Sequence, residues 1–232
     1  MKIELILEEK VLLLTSYIRL INTKNKITIK KDDIKFANVE FSSILNKDVT
    51  IRIIFKTFKR VYVFSLSDII IKTNEIILLG TLNDPLGLYD QGYVNNFKLL
   101  SDKKEKIEWY ELNEKQKYYY LRGSALLYGV RKDIDNSNST IVIDFLNVKS
   151  DLDVYYEIGK SFFKSYGYFG TEFHSFRDCL ANIHESIKKR KKIPIIKIKG
   201  YRNFKKNFEK NILFEDFYNE FKNNGFEVMN DE

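Results

Sequence analysis

The sequence predicts two domains of different class: a mainly antiparallel β domain, sandwich or barrel-like, then an α/β domain with a three-stranded parallel sheet. Three observations carry that expectation. Residues 1–130 hold short runs in which apolar and polar residues alternate, the period of a half-buried strand. Residues 131–139, "RKDIDNSNS", gather two Asp, two Asn and two Ser without an aromatic residue. Beyond them the apolar period lengthens to that of amphipathic helices set between strands. The domains are therefore expected at 1–130 and 140–232, with 131–139 as the linker.

In the first domain, "KITIKKDDIKFANVEF" reads as a pair of strands joined at Asp32 and Asp33. In "VTIRIIFKTF", Val49, Ile51, Ile53 and Phe55 share one face, while Thr50, Arg52 and Lys56 share the other. "VYVFSLSDIII" and "EIILLGTL" follow, with the turn-like "KTN" between them. Short sequential strands with few helical signals imply an antiparallel sheet, and a sandwich or a barrel satisfies the pattern equally.

The second domain opens with the strand "TIVIDFLN". Ser150 then stands as N-cap of the helix "SDLDVYYEIGKSFF", with Asp153 three positions on as in a capping box. Two glycines in "SYGYFG" end it, and a further helix carries Phe173, Phe176, Leu180, Ile183 and Ile187 within roughly 80° of arc at 100° per residue. Asp178 lies opposite that stripe, with His174 four residues before it and Glu185 seven after on the same face. A strand follows in "IPIIKIKGY", then the helices "RNFKKNFEKN" and "LFEDFYNEFKNN", Gly225 as a C-cap and a last strand "FEVMN". Helices between each pair of strands make a parallel sheet the economical arrangement.

Composition narrows the function. With 44% hydrophobic and 31% charged residues and two prolines, the chain can bury real cores. It has no apolar run of membrane-spanning length, and two glutamates interrupt "MKIELILEEK" where a signal peptide needs an apolar core, so a cytoplasmic location is expected. One cysteine, Cys179, and two histidines, His174 and His184, exclude an internal disulfide and a Cys/His zinc cluster, so no metal and no cofactor are expected. There is no phosphate-loop glycine pattern and no serine elbow, and Asp151 and Asp153 are explained by their helix start. No catalytic residue is expected, and the chain reads as a non-enzyme. The abundance of Lys, Asn and Ile resembles an AT-rich bacterial coding bias, which weakens the net charge of +7 as a pointer to nucleic acid.

The element order, together with "SDL", "YFG", "DCL" and "NEFKNNG", resembles the barstar family of intracellular inhibitors of the ribonuclease barnase. The resemblance covers about residues 139–232 and implies inhibition of a toxic ribonuclease, by an antitoxin or immunity protein. It implies that Asp178, immediately before Cys179 and Leu180, enters the nuclease active site and that Glu220, five residues before Gly225, adds a contact. Tyr168 and Gly170, flanking Phe169, would meet the edge of that site. Where the family has a second acid one turn before the aspartate this chain has His174, and where it has a tryptophan this chain has Arg177. Residues 140–232 also hold 16 Lys and Arg against 14 Asp and Glu, unlike the acidic family. A competing expectation is nucleic-acid binding or a regulatory adaptor role through residues 188–210, which carry eleven Lys and Arg, one acid, and Tyr201, Phe204 and Phe208.

Overall fold

The computed structural model describes residues 1–21, 25–83, 91–102, 108–134, 140–164, 166–188, 193–208 and 214–230. The chain divides into two compact units, Met1–Lys106 and Ile107–Glu232.

The first unit is built on β1 (Lys2–Leu7), β2 (Lys10–Thr15), β3 (Arg19–Ile21), β4 (Lys26–Lys30), β5 (Ile34–Ala37), β6 (Asp48–Ile54), β7 (Lys59–Ile71) and β8 (Glu75–Asn83). They form one sheet in the order β3-β4-β8-β7-β6-β1-β2-β5, and its pairings are antiparallel. The alternation in β6 does what its period requires: Val49, Ile51 and Ile53 are buried, and Thr50 and Arg52 are half-buried.

The two strands read as a pair joined at Asp32 and Asp33 do not pair with each other. β4 bonds to β3 and β8, while β5 bonds to β2 at the other edge. Only the 3₁₀ turn Lys31–Asp33 separates them in sequence. Six interstrand steps of about 4.8 Å would set them about 29 Å apart in a flat sheet, whereas four residue steps reach roughly 14 Å. The sheet therefore curls. Its core lies inside the curl, where Leu13 and Thr15 of β2 and Ile27 and Ile29 of β4 line one small cavity of about 10 Å³.

Two helices stand within residues 1–130, which were read mostly as strands. α1 (Gln91–Asp102) buries Tyr93, Val94, Phe97 and Leu100, a helical spacing that Gly92 and two asparagines obscure. α2 (Glu114–Tyr128) is capped by Asn113, whose side chain accepts from Gln116 N at 3.0 Å while Gln116 Oε1 accepts from Asn113 N at 3.0 Å. Its run Tyr118–Tyr120 is β-prone by type, so the cap is the stronger local signal. α2 belongs to the second unit, which places the division before the polar stretch 131–139; of that stretch, 135–139 lie outside the described residues.

The rest of the second unit runs β9 (Thr140–Asp144), α3 (Asp151–Phe163), α4 (Phe173–Lys188), β10 (Ile195–Lys199), α5 (Tyr201–Phe208), α6 (Phe214–Asn223) and β11 (Glu227–Asn230). This is the expected order, and the sheet is parallel throughout, β11-β10-β9. Ile141, Ile143, Ile196, Ile198 and Val228 are buried, and Phe162, Phe176, Phe217 and Phe221 fill the core with aromatic contacts of 4.8 to 6.1 Å between ring centroids. Among the described residues no helix is long and apolar enough to cross a membrane.

Candidate functional site

The segment leading into α4 is fixed by close backbone approach. Gly159 of α3 and Gly167 face each other so tightly that a Cβ on either would strike the other's carbonyl. Phe169 is fully buried, with its ring 4.7 Å from Phe162 and 5.6 Å from Phe176. Gly170 adopts φ +97°, and a Cβ there would stand 2.6 Å from the backbone nitrogen of Phe176. Its glycine is thus required inside the unit, by the turn and by the first turn of α4.

The helix start is held by side chains that pattern reading passed over. Glu172 Oε2 accepts from His174 N at 2.8 Å, and Oε1 accepts from Ser175 N at 2.6 Å. Ser175 Oγ in turn accepts from Thr171 N at 2.9 Å and Glu172 N at 3.2 Å. Free amides at a helix start are strong donors, and this reciprocal arrangement satisfies two in the first turn of α4 and two just before it. An acid followed three residues later by a serine was the available signal. Partial burial raises the Glu172 carboxyl, but the amides of His174 and Ser175 outweigh it and hold the group below the usual glutamate range.

On this frame the predicted site residues separate into two groups. Asp178 and His174 are exposed on the side of α4 opposite its buried stripe, Phe176, Leu180, Ile183 and Ile187. The Asp178 carboxylate has no hydrogen bond or ion pair among the described residues; only its backbone carbonyl is engaged, accepting from Asn182 at 2.8 Å. Glu220, on α6, is brought to the same side by an ion pair, with its Oε1 2.8 Å from Arg177 Nε. Arg177 is 53% exposed there and Glu220 19%. The carboxylate expected to meet a partner is therefore already paired within the unit.

Tyr168 and Gly170 are placed differently. Tyr168 is only 8% exposed, and burial raises its phenol together with the neighbouring Cys179, against contacts from Ser175 and Thr171. Gly170 is buried as well. Both position α4, and the surface they offer is small.

Chemically the face offers one unpaired carboxylate beside one half-exposed guanidinium. Cys179 points inward; burial and the adjacent Asp178 charge push its thiol up to about 12, so it is a packed group rather than a nucleophile. Among the described residues, no three His, Cys, Asp or Glu are grouped to hold a metal ion.

The competing basic segment is described only in part, since residues 189–192 and 209–210 lie outside the described residues. Arg202, Lys205 and Lys206 are exposed on α5. Phe204 is fully buried, and Tyr201 packs on Phe214 with ring centroids 4.5 Å apart, so these two aromatics serve the core. No family model, curated protein or solved structure matches the chain.

Proposed function

We propose that the second unit is a barstar-like inhibitor domain and that the chain acts as an antitoxin or immunity protein of the bacterial cytoplasm, occluding a ribonuclease active site with α4. The observation that carries this reading is the unpaired, exposed Asp178 carboxylate on a helix whose opposite face is locked into an aromatic core. A ribonuclease binds phosphate with cationic side chains in a concave site. A carboxylate presented on a rigid helix replaces that phosphate through charge-assisted hydrogen bonds. Asp178 is the anchor, His174 flanks it, Tyr168 and Gly170 hold the helix start in place, and Glu220 becomes a second contact when a target group competes for Arg177.

The test is a titration of ribonuclease toxins encoded beside this gene with the native chain, Asp178→Ala and Arg177→Ala. Asp178→Ala is expected to stay folded, because an exposed helix position tolerates alanine within about 0.5 kcal/mol. Its inhibition is expected to weaken by about 2–5 kcal/mol, roughly 30- to 5,000-fold, as for one partner removed from a buried charge pair. Arg177→Ala releases Glu220 and is expected to tighten inhibition. Equal inhibition by native and Asp178→Ala protein refutes the anchor. A second reading, nucleic-acid binding, rests on the exposed Arg202, Lys205 and Lys206 of α5, and it predicts RNA binding that falls steeply with salt.

A further inference from the structure

The first unit carries a cationic hollow that neither reading of the second unit uses. The start of β1, the end of β6 and one side of α1 enclose an open space of about 280 Å³, lined by Met1, Lys2, Ile54, Phe55, Lys56 and Lys98. Among the described residues its charged lining is entirely basic. Lys2 is engaged by Glu4 at 2.8 Å. Lys56 and Lys98 are exposed, and neither ammonium has a hydrogen bond or an ion pair among the described residues.

The elements bearing those two lysines are tied together. Ser101 Oγ on α1 accepts from Lys56 N at 2.8 Å and from Thr57 N at 3.2 Å, and Phe55 N donates to Phe58 O at 2.9 Å. Below the turn, Phe55 stacks on Phe58 at 4.6 Å and meets Phe97 of α1 edge-on at 6.0 Å. Lys56 and Lys98 therefore rise from fixed backbone beside a space that no carboxylate of the described residues lines. Like charges placed this way repel, and an anion between them turns the repulsion into two attractions. The unit as a whole favours an anion too, with 18 Lys and Arg against 13 Asp and Glu in residues 1–106.

We infer that this hollow binds phosphate groups through Lys56 and Lys98. Ammonium groups are compact point charges that suit a phosphate's several oxygens without fixed orientation. The volume lies at the lower edge of small-ligand pockets, about 300 Å³, which suits one or two phosphates better than a large organic ligand. The same chemistry is offered by a free diphosphate and by an RNA backbone.

The full chain is titrated with inorganic pyrophosphate by calorimetry and with a labelled single-stranded oligoadenylate by fluorescence anisotropy, each at about 50 and about 200 mM salt. The native chain is expected to bind at least one probe, and Lys56→Gln/Lys98→Gln to bind it at least about tenfold more weakly with a shallower salt dependence. Lys35→Gln, at an exposed lysine of β5 outside the lining of the hollow, is expected to match the native chain. Pyrophosphate that binds and also displaces the oligonucleotide identifies a backbone-phosphate site; pyrophosphate that binds while the oligonucleotide does not identifies a free-phosphate site. Binding of neither probe, undiminished binding by the Lys56/Lys98 variant, or loss confined to an Arg202→Gln/Lys206→Gln variant of α5, as the nucleic-acid reading of that helix predicts, overturns the inference. None of these outcomes depends on Asp178.

Discussion

Glu172 accepts two backbone amides at the start of α4 with both carboxylate oxygens. A charge in this place interacts with the helix dipole as well as with the amides, and such interactions contribute about 0.3–1 kcal/mol at exposed sites. Its carboxyl is held below the usual range, so the folded state binds its proton less readily than the unfolded chain does. The stabilisation is present above the ordinary glutamate pKa and is lost as pH falls through the lower folded value. Glu172→Gln keeps the shape and removes the charge. It is expected to be less stable than native by up to about 1 kcal/mol at neutral pH, with the gap closing in acid. Urea unfolding read by the single tryptophan, Trp109, checks this, since that ring is buried and stacked 4.0 Å from Tyr156 in the same unit. A gap that stays constant into acid contradicts it. The exposed place of Asp178 on α4 was legible in the sequence because it opposes a regular apolar stripe. Glu172 was not, because its role depends on where the helix starts, and that is set by the close packing of Gly159 on Gly167.

The stripe of α4 and the strands of the parallel sheet could be read from period alone, since each element meets one core on one face; of the box expected at the start of α3, Asp153 Oδ2 accepts from Ser150 N at 3.0 Å, while Ser150 Oγ is buried without a hydrogen bond. α2 could not be read from period. Lys117, Tyr119, Tyr120, Leu121, Gly123 and Ser124 are all buried, so its sequence shows little of the one-sided pattern that announces a helix. The curl of the first sheet was hidden for a related reason: pairing partners of β4 and β5 are chosen by the whole sheet, and local alternation says nothing of them. The turn before α4 gives the sharpest test at this scale. Gly170→Ala meets both a positive φ and a Cβ placed 2.6 Å from the Phe176 nitrogen. The combined strain is expected to cost about 1–3 kcal/mol, lowering the urea midpoint of the Trp109 transition. If the inhibitor reading holds, the same change also weakens inhibition by shifting α4. A variant with native stability refutes the tight approach.

The two units part before Trp109 because Asp153, which is completely buried on α3, draws its partners from both sides of the polar stretch. Its Oδ1 accepts from Trp109 Nε1 at 2.6 Å and pairs with Lys117 Nζ at 2.8 Å, and its Oδ2 accepts from Lys149 N at 2.8 Å and Ser150 N at 3.0 Å. Burial disfavours charge on Lys117, but the bonds to Asp153 and Glu114 prevail and raise it above the ordinary lysine range. A buried carboxylate is tolerable only with its partners present. A fragment spanning 107–232 keeps all four, whereas one spanning 131–232 keeps the two amides and loses both Trp109 and Lys117. The shorter fragment is therefore expected to be less stable by about 3–5 kcal/mol, measured by urea unfolding followed by far-UV circular dichroism because it has no tryptophan. Asp153→Asn separates charge from lost packing. In 131–232 it removes a charge that has lost its cation and is expected to recover part of the stability, whereas in 107–232 it leaves Lys117 buried beside a neutral amide and destabilises. Equal stability of the two fragments, or the same sign of effect in both, would place the folding unit at the polar stretch after all.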